Sequence, residues 1–325
     1  MDDSIETCKD NAKWTLSSAI CTAEVRSLGG MLQNVHFLFA NGDTFAPLAQ
    51  ADWADDAPKE DREIAPHLQR LGGEWPCVPF GTSPSDPQHH GYASNAHWRC
   101  THQSQRRIEL VIDFPKSHVV SQLRRTIEVS EEAHRVDCSL SIIVRNACEL
   151  PIGLHPIFRL PTDAPVHIVL ENSTLLEPMP AEIRPPNFQL VAAEGRMLFG
   201  ADGQEIDFLQ GYTGLSTELV QGYDAGGKVA VEYPQEGKKA VLQWDENALP
   251  HCLFWLANPH QFEHLGAFRG LGVEPISSWF DRGTKPLFGA AKGSPRPFGV
   301  KLKPSEPWSM DYSISAETIL MQGAE

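Results

Sequence analysis

The sequence predicts an all-β protein, a large antiparallel β-sandwich, on three observations. Apolar residues recur at every second position over long stretches, the period of a strand with one dry face and one wet face. The 25 glycines and 25 prolines fall throughout the chain, so no long stretch is free of helix breakers. Helical periodicity is scarce, and a parallel sheet needs repeated helical crossovers.

The strands follow in order. Ile108, Leu110, Ile112 and Phe114 alternate with Arg107, Glu109, Val111 and Asp113. Leu123, Arg125, Ile127 and Val129 mostly keep the pattern. Val136, Cys138, Leu140, Ile142 and Val144 alternate with Arg135, Asp137, Ser139 and Ser141. Val229, Val231 and Tyr233, then Ala240, Leu242 and Trp244, read as a hairpin across residues 234–238, with Gly237 in the turn. Met310, Tyr312, Ile314 and Ala316 alternate with Asp311, Ser313 and Ser315. A short helix is expected over residues 205–209.

Connecting segments are read from composition. Residues 51–63 carry six acids and form a solvated loop. Residues 177–187 hold Pro178, Pro180, Pro185 and Pro186 and form an extended connector. Residues 282–303 hold Arg282, Lys285, Lys292, Arg296, Lys301 and Lys303 with no acid, a long loop with ordinary surface cations. No repeat appears. Length divided by ~150 suggests two domains, but no linker divides the chain, and one domain over residues 1–325 is expected.

Composition narrows the function. The 27 basic and 42 acidic residues give a net charge of −15, against the clustered positive charge of a nucleic-acid binder. Seven cysteines (Cys8, Cys21, Cys77, Cys100, Cys138, Cys148 and Cys252) are odd in number and include no C-x-x-C pair. That argues against a disulfide scaffold or a zinc ribbon and for a reducing compartment. The polar, acidic start is unlike a signal peptide, and no apolar run approaches the ~18 residues of a membrane span. The expectation is a cytoplasmic protein with no membrane and no nucleic-acid partner. Neither a Gly-rich phosphate fingerprint nor a Walker sequence occurs.

Three segments place ionisable groups in unusual settings. His89-His90-Gly91-Tyr92 sits in a Pro/Gly-rich loop, where it packs no strand face. His155 precedes Pro156, which restricts its backbone to extended shapes. Glu274 lies between Val273 and Pro275 in an apolar run, where a carboxylate is costly unless paired or protonated. Their bland readings are a surface loop, a satisfied core histidine and a strand-end glutamate facing solvent. His260 and His264 have helical metal-ligand spacing but lack the H-E-x-x-H order, and Pro259 disfavours a helix. No G-x-S-x-G elbow supports a serine nucleophile. Of eight tryptophans most should be core, with one or two, Trp255 among them, near a pocket to stack on a sugar ring.

Five stretches then line up. Residues 71–81 read L-G-G-E-W-P-C-V-P-F-G, residues 90–98 read H-G-Y-A-S-N-A-H-W, and residues 155–159 read H-P-I-F-R. Val273-Glu274-Pro275 follows, and residues 302–308 read L-K-P-S-E-P-W. In this order they resemble the aldose 1-epimerase (mutarotase) superfamily, nearest its hexose-6-phosphate 1-epimerase-like branch. That resemblance implies a one-domain antiparallel sandwich that interconverts sugar anomers without metal, nucleotide or redox cofactor. It implies Glu274 as the base at the anomeric hydroxyl and His155 as the acid at the ring oxygen. His90, Arg70 and Asn95 are implied as substrate contacts. The implied partner is a small-molecule sugar, the chain being a monomer or weak homodimer.

The sequence departs from the branch at named positions. Ser94 stands where the branch has an arginine, Arg70 lies one residue too far from Gly72-Gly73, and Ile157 replaces a tyrosine. A phosphate clamp wants bidentate guanidinium groups, so a neutral aldose or sugar derivative is favoured. For the hydroxyl-binding aspartate that the resemblance implies, Asp224 is the position offered. The alternatives are a non-catalytic sugar-binding protein on this fold, and a glycoside hydrolase or lyase, which would want a second carboxylate near Glu274.

Overall fold

The computed structural model describes residues 12–56, 64–170, 174–211, 216–258, 268–286 and 296–319. An eight-stranded antiparallel sheet forms one layer. Its strands run His167–Leu170, Lys228–Tyr233, Lys238–Trp244, Trp308–Thr318, Arg135–Val144, Val120–Val129, Arg107–Asp113 and Arg99–Gln103 in spatial order. The period-two segments supply its central strands. Val136, Cys138, Leu140, Ile142 and Val144 are all buried while their neighbours stay partly open. The hairpin forms as expected, Pro234–Glu236 making one 3₁₀ turn and Gly237 adopting φ 59°.

A second antiparallel sheet forms the facing layer. It runs Leu175–Pro178, Ser216–Tyr223, His251–Asn258, Gly270–Ile276, Gly153–Leu154 and Pro76–Cys77, with Ile157–Phe158 also paired to Gly270–Ile276. Alternation divides this sheet's faces. Val220, Phe254 and Val273 sit side by side and join the main core. Leu219, Leu253, Trp255 and Glu274 face the other way and line a cavity. A four-stranded sheet (Lys13–Ser17, Cys21–Arg26, Leu32–Leu38, Thr44–Phe45) packs into the same core.

One expectation needs correction. Residues 205–209 form no α-helix: Glu205–Ile206 is a short strand, and a 3₁₀ turn follows at Phe208–Gln210. Arg125 keeps the expected register, on the buried face with Leu123, Ile127 and Val129. Its guanidinium pairs with the Glu74 carboxylate, and Tyr312 Oη accepts from Arg125 and donates to Glu74, both at 2.9 Å. This triad ties the eight-stranded sheet to the segment carrying Gly73 and Trp75.

Candidate active site

A cavity of about 330 Å³ opens on the second sheet. Its floor is built by interrupted pairing. Gly153 opposes Ile276, and Ile157 and Phe158 oppose Gly272 and Leu271, but the stretch between carries Pro156 and faces Pro275. Neither proline can donate a ladder bond. The chain loops out there, held by His155 N–H to Trp75 O at 2.9 Å and by Val273 N–H to Pro156 O at 3.0 Å. The loop sets the His155 ring beside Glu274.

His155 Nε2 stands 3.5 Å from Glu274 Oε1. That is too long for a good direct hydrogen bond. Glu274 Oε1 is buried without a hydrogen-bond partner among the described residues, and so is Nδ1, the other nitrogen of the His155 ring. Trp75 stacks on the His155 ring at 4.2 Å and 12°, and Trp255 meets it edge-on at 5.9 Å. Gly272 supplies the room for the carboxylate: a Cβ there would lie 2.1 Å from Glu274 Oε1.

His90 reaches the cavity from a tight turn with φ 60°, preceding the short helix Gly91–Asn95. Its ring meets His155 edge-on at 4.9 Å. Its Nδ1 accepts from Gly81 N–H at 3.3 Å, which puts the proton of the neutral ring on Nε2. Gly81 is itself required: with φ 69°, its Cβ would strike the Asp281 carbonyl oxygen at 2.2 Å. Ser94 donates back to the His90 carbonyl at 2.7 Å, so this hydroxyl braces the His90 turn.

Burial sets the protonation. It holds the His155 and His90 imidazoles well below the usual histidine range, and neighbouring histidines add to the effect. His67 is lowered to about 4 for the same first reason. Burial, helped by the Asp281 charge, pushes the Glu274 carboxyl well above the ordinary value. Burial acts to raise Asp281 too, but the His89 contact and the Arg282 charge bring it below the usual carboxylate range.

Of the residues singled out in sequence, the cavity gathers His90, His155, Glu274 and Trp255. Arg70 and Asn95 are not among its lining residues. Arg70 donates to the carbonyls of Ala54 and Asp56, both at 2.6 Å, and so secures a loop. Asn95 donates to the carbonyls of Gly91 and His89, which leaves Oδ1 to accept from His67 Nδ1 at 2.8 Å. It therefore positions His67. Asp224 pairs loosely with Arg296 at 3.8 Å outside the lining, and Ile157 is packed in the core.

Sequence reasoning missed His67, Asp281 and Phe188 at this cavity. His67 sits in the 3₁₀ turn Pro66–Arg70, where no periodicity marks it. The ligand-capable atoms of His67, His89 and His90 lie within 4.8 Å of one another. With the His90 Nδ1 lone pair already facing Gly81, two free imidazole nitrogens remain there, short of the three protein ligands of a catalytic zinc. His260 and His264 lie outside the described residues, as do residues 57–63 of the acidic loop and 287–295 of the basic one. No helix among the described residues is long and apolar enough to cross a membrane.

By sequence, the chain matches no family model and no curated protein. By structure, it shares the galactose mutarotase-like sandwich. The Slr1438 protein of Synechocystis sp. PCC 6803 superposes with a TM-score of 0.66 at 13% identity, covering 98% of this chain and 100% of its own. A candidate aldose 1-epimerase from Escherichia coli K12 gives 0.63 at 18% identity, covering 94% and 99%. A galactose mutarotase-like protein from Lactobacillus casei gives 0.62 at 15% identity, covering 94% and 100%.

Proposed function

We propose that the chain interconverts the α and β anomers of an aldose by acid/base opening and closure of the sugar ring. The observation that carries this reading is the His155–Glu274 pair, 3.5 Å apart, buried, and with one unpartnered polar atom on each member.

Ring opening removes a proton from O1 and adds one to the ring oxygen. The pair holds the single proton this exchange needs. Burial favours its uncharged distribution, carboxylic acid and neutral imidazole, over carboxylate and imidazolium. A bound sugar shifts that balance, because hydroxyl donors to Glu274 favour its ionised form. The carboxylate then takes the O1 proton while His155 protonates the ring oxygen. Rotation about the C1–C2 bond and closure with the roles reversed give the other anomer. His90 Nε2–H donates to the ring oxygen or a neighbouring hydroxyl, and the Trp255 ring offers a face for the apolar side of the sugar. These steps call on no metal, nucleotide or redox cofactor.

Saturation-transfer NMR over a panel of free aldoses tests the reading. Accelerated anomer exchange with at least one sugar is expected, with loss of ~10²–10⁴-fold in Glu274→Gln. Sugar binding with exchange at the uncatalysed rate would make this a binding site only.

A further inference from the structure

The cavity extends along the sheet well past the reacting pair. The strands Gly270–Ile276, His251–Asn258 and Ser216–Tyr223 lie side by side. At ~4.8 Å per strand, Thr217 and Leu219 stand roughly 10 Å from the Glu274 strand. This far end has a different chemistry. Met179, Phe188 and Leu219 line it, with Pro185 on the same connector, and Leu253, directly across from Glu274, lies between the two ends.

That wall is built in advance. Met179 N–H donates to Leu219 O at 2.9 Å, and the buried Glu218 carboxylate accepts from the backbone N–H groups of Gln189 and Leu190 at 2.9 and 3.2 Å. The connector is thus pinned to the strand it covers. Thr217 Oγ1 is buried there without a hydrogen-bond partner among the described residues. The one arginine among the described lining residues, Arg282, pairs through Nε with its chain neighbour Asp281 at 3.2 Å, and Asp281 follows the Glu274 strand rather than this wall.

A sugar whose C1 and ring oxygen meet Glu274 and His155 presents its remote carbons to this wall. A phosphate there would lose its water against Met179, Phe188 and Leu219, which offer no guanidinium to replace it. A methyl or short acyl group would bury its carbons, and an acyl carbonyl would accept from Thr217.

We propose that the substrate aldose carries an uncharged apolar group, a deoxy methyl or a short acyl ester, at the end remote from C1, seated against Met179, Phe188 and Leu219. The inference rests on the anomer-exchange reading for the orientation of the sugar.

The test uses 1,5-anhydrohexitols, which lack the anomeric hydroxyl and cannot open. In the gluco, galacto and manno series, the C6 hydroxymethyl is compared with methyl, acetoxymethyl and phosphoryloxymethyl by calorimetry. In at least one series the methyl or acetyl form should bind tenfold or more tightly than the parent, as expected for burying one or two carbons. The phosphate should bind more weakly than the parent. Phe188→Ala and Leu219→Ala should each reduce the methyl preference to threefold or less.

Phosphate binding most tightly, equal affinities across each series, no binding by any member, or a preference unchanged in both variants would each overturn the inference. The two readings fail separately. An apolar preference without anomer exchange on any free sugar removes the catalytic reading alone. Anomer exchange with the phosphate preferred removes this one alone.

Discussion

Glu74 and Glu274 are buried to 0% and 2% exposure, and the fold satisfies one and leaves the other open. Glu74 has a partner on each oxygen, Arg125 on one and Tyr312 on the other. Arg125 donates further to Gly30 O at 2.5 Å. Among the described residues Glu274 has no lysine or arginine paired to it, an Oε1 without a hydrogen-bond partner, and a neutral imidazole 3.5 Å away. The difference separates architecture from chemistry. A satisfied buried ion pair locks two sheets together, whereas an unsatisfied carboxyl at a cavity floor is free to bond a ligand. The regions are adjacent in sequence as well, because Trp75 follows Glu74 and stacks on His155.

Substituting each carboxyl should produce opposite phenotypes. Glu274→Gln keeps the size and uncharged character that burial imposes. Activity should fall by ~10²–10⁴, while the melting temperature holds or rises. The rise follows from linkage. A carboxyl whose folded pKa is raised binds its proton more tightly in the fold, so above the unfolded pKa it opposes folding, and glutamine removes that cost. A lowered melting temperature in Glu274→Gln would show that the group is structural after all.

Glu74→Ala should do the reverse. It strands the Arg125 charge in the core and should cost about 3–5 kcal/mol by urea unfolding. Joint replacement as Glu74→Leu, Arg125→Met and Tyr312→Phe should recover most of that loss, since packed apolar groups replace the whole desolvated triad and leave no hydroxyl unpaired. A single-variant loss under about 1 kcal/mol would mean that water reaches the triad.

Acid should strike the cavity first. His67, His90 and His155 all have lowered folded pKa values. Between the folded value and the unfolded ~6.5, the unfolded chain binds more protons, so stability falls as pH drops through that window. For His67, lowered to about 4, the full loss is of the order of 3 kcal/mol. Chemical denaturation from pH 7 to 4 should show it, and His67→Gln should flatten the slope. An unchanged slope in that variant would place the acid sensitivity elsewhere.

These contrasts also show what the sequence made legible. Long strands announced themselves, because the period of Val136–Val144 fixes which side meets the core. The two-residue strands Pro76–Cys77 and Gly153–Leu154 are too short to show a period, yet they border the site. His155 and Glu274 stood out because each is a polar group beside proline in an apolar run. His67 did not, since a histidine in a one-turn helix has no pattern, and Asn95 reaches it across 28 residues. The partners of Glu74 lie 51 and 238 residues away, a pairing no local rule predicts. Arg70 fits the family spacing loosely, and its guanidinium turns to backbone carbonyls.

The smallest change tests the most local claim. Gly272 has no side chain because its neighbour two residues on needs the space; a methyl there would sit 2.1 Å from Glu274 Oε1. Glu274 lies across from Leu253 and Gly272 across from Trp255, so the carboxylate can swing neither into the sheet nor through the indole. Gly272→Ala must therefore displace the carboxyl from its present position beside His155. A displacement near 1 Å at a reacting group costs up to ~10²-fold in rate, while the strand itself loses little, as alanine is no worse than glycine in a strand interior. The expected signature is a lower kcat at nearly constant sugar affinity and melting temperature. A variant with full activity would mean that Glu274 works from a different rotamer, and the 3.5 Å spacing would lose its meaning for the reaction.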